Sequence, residues 1–127
     1  MNEAILDASA LLVLLNDEPG SKAVAESLPG AAVSAVNLSE VVAKLADRGM
    51  PLESIRSALD GLGLEVHPFG AESAFAAGNL RPATKSLGLS LGDRACLALG
   101  KSLSRTVLTA DRRWKSLALG VKVQVLR

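Results

Sequence analysis

Cysteine, histidine and aromatic residues are nearly missing from this chain of 127 residues. Cys96 is the single cysteine, so no intramolecular disulfide can form, and a reducing compartment fits. Its neighbours follow a helical apolar pattern, so a buried core thiol is the expected role rather than a nucleophile. Tyrosine is absent, and Phe69, Phe75 and Trp114 are the only aromatic side chains. The core must therefore be built from Leu, Val and Ala, which the 49% apolar content permits at this length. No apolar run approaches the roughly 20 residues of a membrane-spanning helix. The most apolar early stretch, residues 8–15, is short and follows Asp7. The Met-Asn-Glu start lacks the positive charge of a secretory leader. A soluble cytoplasmic protein with no membrane association is the expectation. The formal net charge is only +1. Its distribution is uneven: residues 1–63 hold nine acidic and four basic side chains, and residues 64–127 hold four acidic and ten basic. The basic second half hints at a polyanionic partner, although scattered solubilising Lys and Arg would give the same count.

What is present is an alternation of short apolar runs with helical periodicity, with no repeat, low-complexity tract or linker. A single domain over residues 1–127 is expected. Strands are read at 4–7, 31–36, 64–67, 106–109 and 121–126. Helices are read at 8–15, 21–28, 37–48, 52–59, 71–80, 92–102 and 112–117, with a loop over 81–88. Asn37 is placed to cap its helix, with Glu40 in capping-box position. Strands separated by helices imply parallel pairing, and nearly all-apolar strands imply helices on both faces. The expected fold is a three-layer α/β/α sandwich around a parallel sheet of about five strands. Ligands bind such sheets beyond the carboxyl ends of the strands, at the topological switch point.

Four carboxylates fall at that edge. Asp7 ends the first strand, Glu40 opens the helix after the second, Asp93 opens the helix before the fourth, and Asp111 lies just past the fourth. Singly, Glu40 reads as a capping-box residue, Asp93 as a helix-start residue and Asp111 as a turn residue. Asp7, in an apolar strand behind Ile5 and Leu6, is harder to dismiss. Together the four would repel one another unless a cation sat among them. Hard oxygen donors select Mg²⁺ or Mn²⁺. Zinc is disfavoured by one His and one Cys far apart in sequence. Such an ion suits phosphodiester hydrolysis, which needs an activated water and relief of charge on the phosphorus oxygens. Helix N-termini near Glu40 and Asp93 would add positive dipoles. Without metal, the same cluster attracts a guanidinium group.

The motifs around these residues resemble those of PIN domains, in particular the VapC toxins of bacterial toxin–antitoxin pairs. Leu6-Asp7-Ala8-Ser9-Ala10-Leu11-Leu12 resembles the family's first motif, and Asn37-Leu38-Ser39-Glu40-Val41 the second. Leu89-Ser90-Leu91-Gly92-Asp93-Arg94-Ala95-Cys96-Leu97-Ala98-Leu99 resembles the third, and Leu108-Thr109-Ala110-Asp111-Arg112-Arg113-Trp114 the fourth. The four occur in the family's order and cover almost the whole chain. The resemblance implies a Mg²⁺- or Mn²⁺-dependent endoribonuclease acting on RNA, restrained by a cognate antitoxin and commonly a homodimer. It makes Asp7 and Asp93 the principal metal ligands. Glu40 would be a ligand directly or through water, and Asp111 would complete the acidic pocket. Ser9 and Thr109 stand where the family often places a supporting hydroxyl, although such residues beside a strand end are usually local caps.

Other residues near the motifs read differently. Arg94, Arg112, Arg113 and Lys115 suit either phosphate contacts or a solvated rim. Trp114 reads as core more than as a base-stacking platform. His67, before Pro68, reads as structural or solvent-facing, since metal-assisted hydrolysis needs no histidine base. A phosphatase or a phospho-accepting receiver would want paired acids on the first strand, and position 9 is Ser. The remaining alternative is an inactive PIN-like module that binds RNA or protein.

Overall fold

The computed structural model describes residues 3–127. Met1 and Asn2, the start of the segment read against a secretory leader, lie outside them. Among the described residues, five strands form one parallel sheet: β1 (Ile5–Leu6), β2 (Ala32–Ser34), β3 (Glu65–His67), β4 (Val107–Thr109) and β5 (Val123–Val125). Their order is β3-β2-β1-β4-β5. The chain winds outward from β1 through β2 to β3, then returns to the other side of β1 for β4 and β5. The switch point therefore lies between β1 and β4.

The connections are α1 (Ala8–Leu15) and α2 (Ser21–Ser27), then α3 (Ala35–Asp47) and α4 (Leu52–Asp60), then α5 (Ala71–Asn79), α6 (Arg81–Thr84) and α7 (Leu91–Leu103). The pleat sends alternate strand residues to opposite faces. Leu6, Val33 and Leu108 join one apolar cluster with Leu11, Val41, Leu45, Ile55 and Leu59, under α1, α3 and α4. Ile5, Ala32 and Val107 join a second with Ala77, Cys96, Leu97 and Trp114, under α5 and α7. Burial on both faces explains why the central strands carry no polar alternation. Cys96 and Trp114 are both core residues, as expected. No helix among the described residues is long and apolar enough to cross a membrane.

The structure moves several expected boundaries: the fifth strand shortens from 121–126 to Val123–Val125, and the helix over 112–117 is a 3₁₀ turn at Arg112–Ser116. Residues 81–88 are not a loop: Pro82 sits in the first turn of α6, where its missing N–H is harmless, and a 3₁₀ turn at Lys85–Leu87 ends on Gly88 at φ 66°. The helix expected from Asn37 starts two residues earlier, at Ala35. Its cap is Ser34, whose hydroxyl accepts from the Val36 N–H at 3.2 Å. The β-branch of Val36 favours strand, but the cap at the end of β2 turns the chain first.

Candidate active site

Asp7 follows β1 and caps α1. Its N–H donates to Leu108 O at 3.2 Å, which fixes it beside β4 at the switch point. The residue is 4% exposed. Oδ1 accepts from the Ala10 N–H at 2.8 Å and from Ser9 Oγ at 2.7 Å, and Oδ2 accepts from Thr109 Oγ1 at 2.6 Å. Thr109 Oγ1 in turn accepts from the Asp111 N–H at 3.0 Å, and Ser9 Oγ from the Ala110 N–H at 2.9 Å. Both hydroxyls therefore tie the two sides of the switch point together, and Thr109 also acts as a local cap on the Asp111 N–H. Burial pushes the Asp7 carboxyl up to about 6. The three hydrogen bonds pull the other way, and the Asp93 charge adds to the rise. This is a desolvated carboxylate served by neutral donors alone, and among the described residues no Arg or Lys pairs with it.

Asp93 lies in the first turn of α7, as expected, and makes the capping box with Ser90. The Asp93 N–H donates to Ser90 Oγ at 3.2 Å, and the Ser90 N–H donates to Asp93 Oδ2 at 2.8 Å. The positive end of the α7 dipole thus faces this part of the site. Glu40 is a correction: it is the sixth residue of α3, beyond the first turn, and is not a capping-box member. The dipole expected beside it is therefore weak. Asn37 is likewise not a cap. Buried at 2% exposure, its Nδ2 donates to Glu40 Oε1 at 2.8 Å and to Gly92 O at 3.0 Å. It pins Glu40 against the start of α7. The Glu40 carboxylate lies over Gly92, and a Cβ there would overlap it. Gly92 in the Gly92-Asp93 pair is thus the gap that lets α3 bring its acid to α7. The Asn37 Oδ1 is buried without a hydrogen-bond partner.

Asp111 caps the 3₁₀ turn Arg112–Ser116 and pairs with Arg113, with Nη2 to Oδ2 at 2.6 Å. Arg113 above all holds its carboxyl below the ordinary range. Arg113 Nη2 also lies 4.0 Å from Asp93 Oδ2. One guanidinium of the chain itself thus stands at the Asp111 side of the cluster. Arg94 belongs to neither expected class, since it donates to Ala77 O at 3.1 Å and fastens α7 to α5. His67 pairs with Glu65 at the edge of the sheet, away from the acids.

The four carboxylates therefore gather around the switch point. Asp7, Asp93 and Glu40 are close enough for their charges, together with burial as the main cause, to push the Cys96 thiol far up. Among the described residues, no three Asp, Glu, His or Cys side chains stand at the spacing of a metal cage. Each acid is held instead by its own neighbours. The donor set nevertheless suits a hard divalent cation: oxygens only, one carboxylate buried without a positive partner, and one buried amide oxygen left unbonded beside Glu40. Sequence reasoning missed Asn37 in this role, and its three-residue spacing from Glu40 on one helix face was the available signal.

Comparison with known proteins bears on the family and the fold. A family model described as "PIN domain" matches residues 4–119. No curated protein matches. Among solved structures, VapBC2 from Rickettsia felis bound to a promoter DNA fragment is similar at 20% identity, covering 98% of each chain with a TM-score of 0.76. DNA-bound VapBC from Salmonella typhimurium is similar at 17% identity over 100% of both chains, TM-score 0.75. A toxin–antitoxin complex from Klebsiella pneumoniae is similar at 18% identity over 98% of each, TM-score 0.76. At such identities the likeness establishes a shared fold.

Proposed function

The chain belongs to the PIN-domain family, and from that premise we propose that it is a Mg²⁺- or Mn²⁺-dependent endoribonuclease, the VapC-type toxin of a toxin–antitoxin pair. The observation that carries the reading is the gathering of Asp7, Glu40, Asp93 and Asp111 at the carboxyl edge of β1 and β4, with Asp7 buried and paired with no Arg or Lys among the described residues. Asp7, Asp93 and Glu40 would hold the ion, and Asp111 would complete the acidic wall. When bound, the ion supplies Lewis-acid activation of water and offsets charge building on the phosphorus oxygens.

The remaining work falls to the chain. Ser9, Thr109 and the Ala10 N–H orient the Asp7 carboxylate. Asn37 orients Glu40, and Ser90 orients Asp93. These partners fix the donors before substrate arrives, which lowers the reorganisation the reaction requires. A cognate antitoxin as inhibitor, a homodimeric state and a cytoplasmic setting go with the same reading. The similar structures are toxin–antitoxin complexes, which supports the partner.

Incubating the purified protein with single-stranded RNA tests the activity. Cleavage is expected with Mg²⁺ or Mn²⁺, none with EDTA, and none from Asp7→Asn with either metal. Cleavage that persists in EDTA or in that variant would refute the assignment.

A further inference from the structure

Asp111 differs from the other acids in how it is occupied. Oδ1 accepts from the Arg113 N–H at 2.9 Å and from Nε at 3.0 Å, while Oδ2 accepts from Nε at 3.1 Å and from Nη2 at 2.6 Å. This is the two-pronged guanidinium–carboxylate contact, the most directional ion pair available to side chains. The far end of the same guanidinium is also fixed, because Nη1 donates to Leu87 O at 2.7 Å. Arg113 is thus held on two sides, yet its side chain remains 49% exposed. Each terminal nitrogen keeps one N–H outside these contacts. Nη2 reaches to 4.0 Å from Asp93 Oδ2, at the mouth of the acidic pocket. Arg112 and Lys115 share the exposed turn, so positive charge continues along the rim.

A metal arriving at Asp111 would have to break this pair. At Asp7 or Glu40 it would displace no Arg or Lys side chain among the described residues. Resting on the nuclease reading above, we propose that Asp111 is a positioning residue rather than a metal ligand, and that it aims Arg113 at a backbone phosphate of the RNA entering beside Asp93. A planar fork held in place suits phosphate oxygens, and ordering it in advance lowers the entropic cost of binding. The acidic edge is thereby divided in two: Asp7, Glu40 and Asp93 for the ion, Asp111 and Arg113 for the polyanion.

Two measurements on the full chain separate these roles: Mn²⁺ affinity by titration calorimetry, and RNA cleavage kinetics at several salt concentrations. Arg113→Ala is expected to raise KM about tenfold and lower the salt slope of KM by about one, with kcat and Mn²⁺ affinity within about threefold of wild type. Asp111→Asn should move KM in the same direction and leave Mn²⁺ affinity in place. Arg113→Lys should fall between, keeping the charge but losing the fork, and it serves if the Ala variant folds poorly. Asp93→Asn should lose Mn²⁺ binding. If Asp111→Asn loses Mn²⁺ as Asp93→Asn does, Asp111 is a ligand and the proposal fails. If the Arg113 variants lower the melting temperature but keep the wild-type KM and salt slope, the pair merely ties the turn to Leu87, and the proposal fails as well. A wild-type protein that neither binds Mn²⁺ nor cleaves RNA overturns the nuclease reading itself, and this inference with it.

Discussion

Asp7 and Asp111 stand on the two sides of one switch point, linked through the single hydroxyl of Thr109, and their environments are opposite. Asp7 is buried, receives only neutral donors, and has its carboxyl pushed up to about 6. Asp111 is partly exposed, is gripped by a guanidinium, and has its carboxyl held down. The difference shows that four acids in sequence are not four equal acids in space. Burial without a counter-charge marks the place that wants a cation, and a surface ion pair marks a place that already has one.

The comparison is broken most severely at Asp7. Asp7→Asn should lower cleavage by more than the roughly 10–100-fold typical of losing an outer-shell partner. The same change should stabilise the metal-free protein. The Asp7 carboxyl is raised in the folded state from 3.8 to about 6, so the fold binds its proton more tightly than the unfolded chain does. This contribution is complete below about pH 4 and is lost as pH rises through about 6. At pH 7.5, keeping Asp7 ionised costs the metal-free fold about 2–3 kcal/mol. Melting temperatures of wild type and variant should therefore diverge between pH 5 and pH 7.5 in EDTA, with the variant higher at pH 7.5. Parallel melting curves over that range would show that Asp7 carries no such burden.

Asp93→Asn should abolish cleavage as completely, but with the opposite effect on stability. It weakens the capping box with Ser90, so a loss of about 1 kcal/mol is expected in EDTA. Denaturant unfolding of the two variants side by side checks this contrast, and a stabilised Asp93→Asn protein would contradict it.

Thr109→Val sharpens the comparison by cutting the link between the two sides. It removes a hydrogen bond that lowers the Asp7 carboxyl, so that carboxyl should rise further. At a fixed, subsaturating Mn²⁺ concentration, the acid limb of the pH–rate profile should move to higher pH. Loss of the donor to Asp7 and of the acceptor for the Asp111 N–H should cost about 1–3 kcal/mol. An unmoved acid limb would show that the hydroxyl does not tune Asp7.

The smallest effect is expected at Cys96, which lies in the core near Asp7, Asp93 and Glu40 without serving any of them. Cys96→Ala should keep wild-type cleavage and cost about 1 kcal/mol through lost packing. Inactivity in a well-folded Cys96→Ala protein would reveal a catalytic thiol.

Much of this arrangement was legible in the chain. The apolar run over 8–15 is a helix with those bounds, because Asp7 caps it and Asn16, Asp17, Pro19 and Gly20 follow it. The alternation of strands and helices dictated a parallel sheet, and the rule for such sheets placed the four acids on one edge. The bounds of α3 were harder to read, because Ser34, Val36 and Asn37 each carry a local preference and only the end of β2 settles which prevails. Some partners of the acids are close in sequence, as Asn37 is to Glu40, Ser90 to Asp93 and Arg113 to Asp111, but tertiary structure alone decided the contacts between elements. That Thr109 reaches across strands to Asp7, that Ser9 accepts from the Ala110 N–H, that Asn37 bridges to Gly92, and that the far end of Arg113 is fixed on Leu87 all depend on groups from separate elements meeting at one edge. Periodicity and capping rules describe neighbours along the chain. The charge state of a carboxylate is set by what burial removes and what the fold brings near, and that is fixed only once the sheet has closed around it.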